Sequence, residues 1–160
     1  MILHPIEPIY DAHATILILG SFPSVRSREQ GFFYGHPRNR FWAVTAAVFE
    51  TECPKTVIEK RAFLLANRIA VWDVLAACEI RGSADSSIRQ AVPNDLSCIL
   101  ETAPIRRIFV NGKTAEAYYK RYLESTVGRK AVCLPSTSPA NAAWSLERLI
   151  TAWRQIRLDG

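Results

Sequence analysis

Apolar positions along this chain fall into two rhythms. Four short stretches are apolar almost without interruption: "TILILG" (Thr15–Gly20), "RIAVWDV" (Arg68–Val74), "IRRIFVNG" (Ile105–Gly112) and "KAVCLPS" (Lys130–Ser136). Each is bounded by polar or turn residues, which predicts strands buried on both faces. Between them the rhythm changes to helical spacing. Phe41, Thr45, Val48 and Phe49 mark one helix, Val57 to Asn67 a second, and Ala115, Tyr118, Tyr119 and Tyr122 a third. On the last helix Leu146, Leu149, Ile150, Trp153 and Ile156 form an apolar stripe, with Arg148, Arg154 and Arg157 on the opposite face.

Continuously apolar strands alternating with helices imply a parallel sheet covered on both sides. With right-handed crossovers the expected architecture is α/β, a three-layer α/β/α sandwich around a central four-stranded parallel sheet. In such sheets ligands bind beyond the carboxyl ends of the strands. Function is therefore expected in "GSFPS", "DVLAACEIRGS", "NGKTA" and "PSTSPAN". Residues 78–94, rich in Ser, Gly and Asp, read as the longest surface loop. No repeat or linker interrupts the pattern, and 160 residues make one domain, residues 1–160.

Composition narrows the classes. No apolar run approaches the ~20 residues of a membrane span, and "MILHPIEPIYD" lacks the basic start and long apolar stretch of a signal peptide. The expectation is a monomer in the cytoplasm without membrane contact. Cys53, Cys78, Cys98 and Cys133 form no CxxC pair and read as buried reduced thiols. Lys and Arg outnumber Asp and Glu by 20 to 15, a net charge of +5 that favours a polyanionic partner. Arg26, Arg28, Arg38 and Arg40 cluster within fifteen residues, and Arg suits bidentate phosphate contacts.

Several chemistries lose their signatures. "GSFPS" is neither GxGxxG nor a Walker loop, and the GKT of "NGKTA" lacks the preceding glycine. No HExxH, no GxSxG and no paired carboxylates in one loop occur. What remains is neutral: Asn39, Asn111, Ser136, Thr137, Ser138 and Asn141. Such groups position and polarise, and they supply no strong base. Neither a metal nor a redox cofactor is expected.

Three separated stretches, "ILILGSFPS", "GFFYGHPRNRFW" and "LPSTSPAN", resemble in order and spacing the signature loops of the uracil-DNA glycosylase superfamily. "HPxNRFW" is similar to the mismatch-specific uracil and thymine glycosylases. Phe22, where those enzymes carry a water-positioning Asn, resembles instead the hypoxanthine-DNA (deoxyinosine) glycosylase branch, as does "VWDVLAACEIRGSADSSI". The resemblance implies the same α/β/α fold and hydrolysis of the N-glycosidic bond of a deaminated base in DNA, most simply deoxyinosine. A mismatch-type uracil or thymine glycosylase is the alternative.

The resemblance also implies roles. Tyr34 matches the aromatic on which the flipped base stacks, while Phe32, Phe33, Phe41 and Trp42 read as core. Ser21 and Phe22 fall in the base site. Asn39 is matched to the residue that places the attacking water, although spacing alone reads it equally well as a helix N-cap. Asn111 is matched to the reader of the base edge, against a turn Asn before Gly112. Ser136, Thr137, Ser138, Pro139, Ala140 and Asn141 match the loop inserted into the duplex, with Asn141 capping the last helix as the competing reading. Small Pro139-Ala140 stands in the wedge position. His36, Arg38 and Arg40 are phosphate candidates. Asp73 at a strand end reads equally as a site residue or as a turn.

Overall fold

The computed structural model describes residues 2–79 and 89–157. In chain order the elements are β1 (Ile2–Leu3), β2 (Ile16–Gly20), α1 (Val25–Gln30), α2 (Phe41–Val48), α3 (Val57–Ala66), β3 (Ile69–Asp73), β4 (Leu75–Glu79), β5 (Arg89–Pro93), α4 (Ser97–Thr102), β6 (Arg107–Asn111), α5 (Lys113–Tyr122), α6 (Glu124–Val127), β7 (Val132–Leu134) and α7 (Leu146–Trp153). A 3₁₀ turn, Arg154–Ile156, continues the last helix.

The four predicted apolar runs form one sheet in the order β3-β2-β6-β7, and every neighbouring pair is parallel. Side-chain alternation divides the core in two. Ile16 and Ile18 of β2 pack with Phe41, Trp42, Phe63, Leu64, Leu149 and Trp153 from α2, α3 and α7. Leu17 and Leu19 pack on the opposite side with Ile99, Ala115, Tyr119 and Leu123 around α4 and α5. Helices thus cover both faces, which is why these strands carry no polar face. The expected sandwich is the observed one.

Some boundaries moved. β7 spans only Val132–Leu134, because Pro135 cannot extend the ladder. Asn67 terminates α3 instead of belonging to it. The expected loop over residues 78–94 is corrected at both ends. β4 and β5 pair antiparallel there, and β1 joins β4 to make a second, three-stranded sheet. The middle of that stretch lies outside the described residues. Mixed Arg, Gln, Ala and Val in β5 hid the strand, since an edge hairpin needs no continuous apolar run. The four cysteines are reduced and unbridged as expected, but only Cys78 is buried; Cys133 is half-buried, and Cys53 and Cys98 are exposed.

Candidate active site

All four parallel strands deliver residues to one cleft at their carboxyl ends. β2 ends in Gly20 and runs on through Ser21, Phe22, Pro23 and Ser24; β3 contributes Asp73, β6 contributes Asn111, and Ser136 to Pro139 follow β7. Phe33, Tyr34, His36 and Asn39 complete the lining.

The aromatics of "FFYGHPRNRFW" separate by burial. Phe32, Phe33, Phe41 and Trp42 are all core residues. Tyr34 stacks on Phe41 at 4.0 Å between centroids, 15° from parallel, which leaves only its second face to meet another ring. Its backbone is left-handed, φ 52°, a strained state for a bulky residue, and the Trp42 indole N–H donates to its carbonyl at 3.2 Å. Its hydroxyl is buried with no hydrogen-bond partner. Burial first, and the nearby Asp73 charge second, push the phenol well above its ordinary range; the Asn111 amide acts in the opposite sense. The group is a firmly protonated donor.

Asn39 is half-buried, and its Oδ1 accepts the Phe41 N–H at 2.9 Å, starting α2. The N-cap of α2 is Arg40, without a side-chain cap bond, so Asn39 stands one residue ahead and turns the chain into the helix instead of capping it. A carbonyl oxygen has a second lone pair, and Asn39 lines the cleft, so this turn leaves room for a water. His36 Nδ1 accepts the Arg38 N–H at 3.0 Å, which makes Nε2 its donor nitrogen. Arg38 is exposed.

Asn111 bridges to Thr137 at both ends of its amide. Nδ2 donates to Thr137 Oγ1 at 3.0 Å, and Oδ1 accepts the Thr137 N–H at 3.1 Å. This fastens the last loop to the sheet and leaves one N–H and one lone pair. The loop carries its own turns: Ser136 Oγ accepts the Ser138 N–H, and Ser138 Oγ accepts the Ala140 N–H. Ala140 is exposed at the tip. Asn141 does not cap α7; Ser145 does so, and Asn141 Nδ2 instead closes the loop on the Ser136 carbonyl at 3.0 Å.

Arg40 lies under this loop. Its two terminal guanidinium nitrogens donate to the carbonyls of Trp144 and Asn141, and its backbone N–H donates to the Thr137 carbonyl at 3.0 Å. Arg40 thus braces residues 137–144 against the start of α2. Arg40→Met keeps the stem and loses both side-chain bonds. Charged hydrogen bonds of this kind contribute about 1.5–3 kcal/mol each. A melting curve should fall by roughly 5–10 °C for a net loss of about 2–3 kcal/mol; an unchanged curve would show that the brace contributes nothing.

One expectation needs correction: the site is not neutral. Asp73 is 3 % exposed and lines the cleft. Its Oδ2 lies 2.8 Å from Nε2 of His4, a side chain equally buried. His4 Nδ1 accepts the Ile6 N–H at 3.2 Å, so Nε2 bears the proton and donates to the carboxylate. Phe22 meets the His4 ring edge-on at 5.7 Å, and Phe33 and Trp72 pack around it. The partners are 69 residues apart, and neither lies in a motif of neighbouring residues, so sequence spacing carried no signal for the pair. Register does: Gly20 and Asp73 are directly paired across β2 and β3. Among the described residues no group of three His, Cys, Asp or Glu side chains could hold a metal ion, and no helix is long and apolar enough to cross a membrane.

Comparison with known proteins agrees with this geometry. The model of the uracil DNA glycosylase superfamily matches residues 7–157. The chain is 36% identical over 150 residues to a protein named hypoxanthine DNA glycosylase from Methanosarcina acetivorans, covering 92% of this chain and 94% of that one. It is 30% identical over 150 residues to a protein of the same name from Methanosarcina barkeri, covering 92% and 93%. A solution NMR structure of a candidate uracil DNA glycosylase from M. acetivorans superimposes with a TM-score of 0.81 at 32% identity, over 99% of this chain and all of that one. With a family match over nearly its whole length and the fold to accompany it, the chain belongs to the uracil DNA glycosylase superfamily.

Proposed function

We propose that this protein is a monofunctional DNA glycosylase that removes hypoxanthine from deoxyinosine, leaving an abasic site. The observation that carries the reading is the cleft itself. A tyrosine with one face left for a ring, a half-buried amide and a projecting Ser-Thr-Ser-Pro-Ala loop converge on it from separate segments. The names of the relatives favour hypoxanthine over the mismatch-type alternative.

A base inside a duplex is out of reach, so the nucleotide must turn out into the cleft. Tyr34 receives the base on its second face. The tip, half-buried Pro139 and exposed Ala140, fills the gap left in the stack, while Arg38, His36 and the Ser136 and Ser138 hydroxyls meet flanking phosphates. Thr137, expected among the DNA contacts, is fully buried and holds Asn111 instead. Asn39 orients a water against the sugar. An amide cannot take a proton from that water early, so the bond breaks first. The C1′–N9 pair departs with the base, the sugar becomes oxocarbenium-like, and the oriented water adds at C1′. The water's proton ends on the departed base, which balances the hydrolysis. The protein works as a single domain and a monomer, without metal or redox cofactor.

Duplex oligonucleotides holding inosine, uracil, xanthine or mismatched thymine test the reading. Inosine should be released fastest. Faster release of thymine from its mismatch would favour the alternative, and binding without release would make the protein a reader of damage.

A further inference from the structure

Asp73 is a carboxylate with no part in the water-placing step above, yet it is built into the floor of the cleft. His4 holds Oδ2, and the aromatic packing of Phe22, Phe33 and Trp72 holds His4. Oδ1 lies over Gly20, where an added Cβ would come within 2.4 Å of it. The unpartnered Tyr34 hydroxyl reaches the same spot, 3.2 Å from that Cβ position. Depth separates this carboxylate from the chemistry of the sugar: Asp73 is buried, whereas Asn39 is half-exposed. A group at the floor meets the far edge of an inserted base and not C1′. Asn111, the other polar side chain at a strand end, is fastened to Thr137 and keeps one N–H and one lone pair for the base edge beside Asp73.

We infer that the His4–Asp73 pair is the specificity-determining element of the site: a fixed acceptor that recognises the ring N–H created when a base is deaminated. The inference rests on the glycosylase reading and deepens it. Adenine presents a bare ring nitrogen at N1, and cytosine one at N3. Deamination turns each into a lactam N–H, at N1 of hypoxanthine and N3 of uracil. A carboxylate held from behind by a donor can only accept. It therefore pairs with the product of deamination and faces the parent base lone pair against lone pair, leaving the buried polar groups unpaired. Guanine already bears N1–H, so this element does not reject it; space at C2 has to. His4 has a second effect. By fixing which oxygen faces backward, it prevents the rotation that makes an Asn amide ambiguous as a reader. By donating to the carboxylate, it also draws charge from the oxygen left for the base. His4 acts through Asp73 and is a positioning residue.

The test is binding of full-length protein to duplexes carrying 2′-fluoro-2′-deoxyinosine, 2′-fluoro-2′-deoxyadenosine or a tetrahydrofuran abasic analogue, none of which is readily hydrolysed. Wild type should prefer the fluoroinosine duplex at least tenfold over fluoroadenosine. In Asp73→Asn, His4 should turn the amide oxygen backward and leave NH₂ toward the base, so the preference should vanish or invert while abasic binding stays unchanged. A preserved preference in a variant that still binds the abasic duplex overturns the inference. If Asp73→Asn does not bind the abasic duplex, His4→Phe serves, keeping the ring packing without the donor. Its preference should fall several-fold, and an unaltered preference overturns the inference equally. Wild type releasing hypoxanthine from inosine DNA but showing no fluoroinosine preference would defeat this reading alone. No release from inosine DNA would defeat the proposed activity.

Discussion

Asn39→Ala is expected to release hypoxanthine roughly a thousandfold more slowly than wild type, about 4 kcal/mol in the barrier, while binding inosine-containing DNA nearly as well. The magnitude follows from orientation: a water no longer held at C1′ must be captured from bulk, and misplacement alone costs about two orders of magnitude. The same substitution removes the acceptor for the Phe41 N–H, which should cost about 1 kcal/mol of stability. Asn39→Ser separates the two effects. A serine oxygen can still accept the Phe41 N–H in the same kind of turn, so stability should return, but it is too short to reach the water, so excision should stay low. Single-turnover rates and melting curves on both variants check this. If the rate recovers together with stability, the amide serves the helix and not the chemistry.

Gly20→Ala should lower excision about a hundredfold. The methyl group would sit 2.4 Å from Asp73 Oδ1 and 3.2 Å from the Tyr34 hydroxyl. Neither neighbour is a floppy end: the carboxylate is tied to buried His4, and Tyr34 is stacked on Phe41. Something must give, and overpacking of this kind costs about 1–3 kcal/mol of stability. The active-site cost should exceed that, because the shift falls on two groups lining the cleft proposed to take the base. Excision rate beside thermal stability is the measurement. A loss of rate no larger than the unfolded fraction explains would show that the carboxylate can move aside without consequence.

These two residues show what the chain does and does not disclose. Asn39, which lines the cleft, stood out because it sits inside a dense run of ring, amide and guanidinium residues, where local spacing alone raises the question. The strands were readable for a similar reason, since burial on both faces leaves an uninterrupted apolar run. Asp73 was visible only as a strand end, and His4 not at all as a site residue. Their union depends on β3 lying beside β2 and on an N-terminal segment packing near β3, with Ile9 and Val71 exchanging both backbone bonds at 3.0 and 2.9 Å. Long-range pairing of that kind leaves no periodicity behind. Arg40 was misleading in the opposite way. Its neighbours make it look like a phosphate contact, yet its terminal nitrogens are engaged by carbonyls more than a hundred residues away. The hairpin β4–β5 escaped because a sheet edge tolerates mixed polarity.

The fastening of the last loop bears on how the enzyme meets DNA. Arg40 and Asn111 join the start of α2, the end of β6 and residues 136–144 into one unit. On the proposed roles, the tip that would enter the duplex and the amide that would aim the water are thereby tied into the same hydrogen-bonded unit. Ordering of the loop is settled when the chain folds and does not have to be repeated at each encounter. A lid that closes on substrate can sense arrival by moving; this site would sense it by resisting. The duplex is then the partner that deforms, and a base pair already weakened by damage yields first.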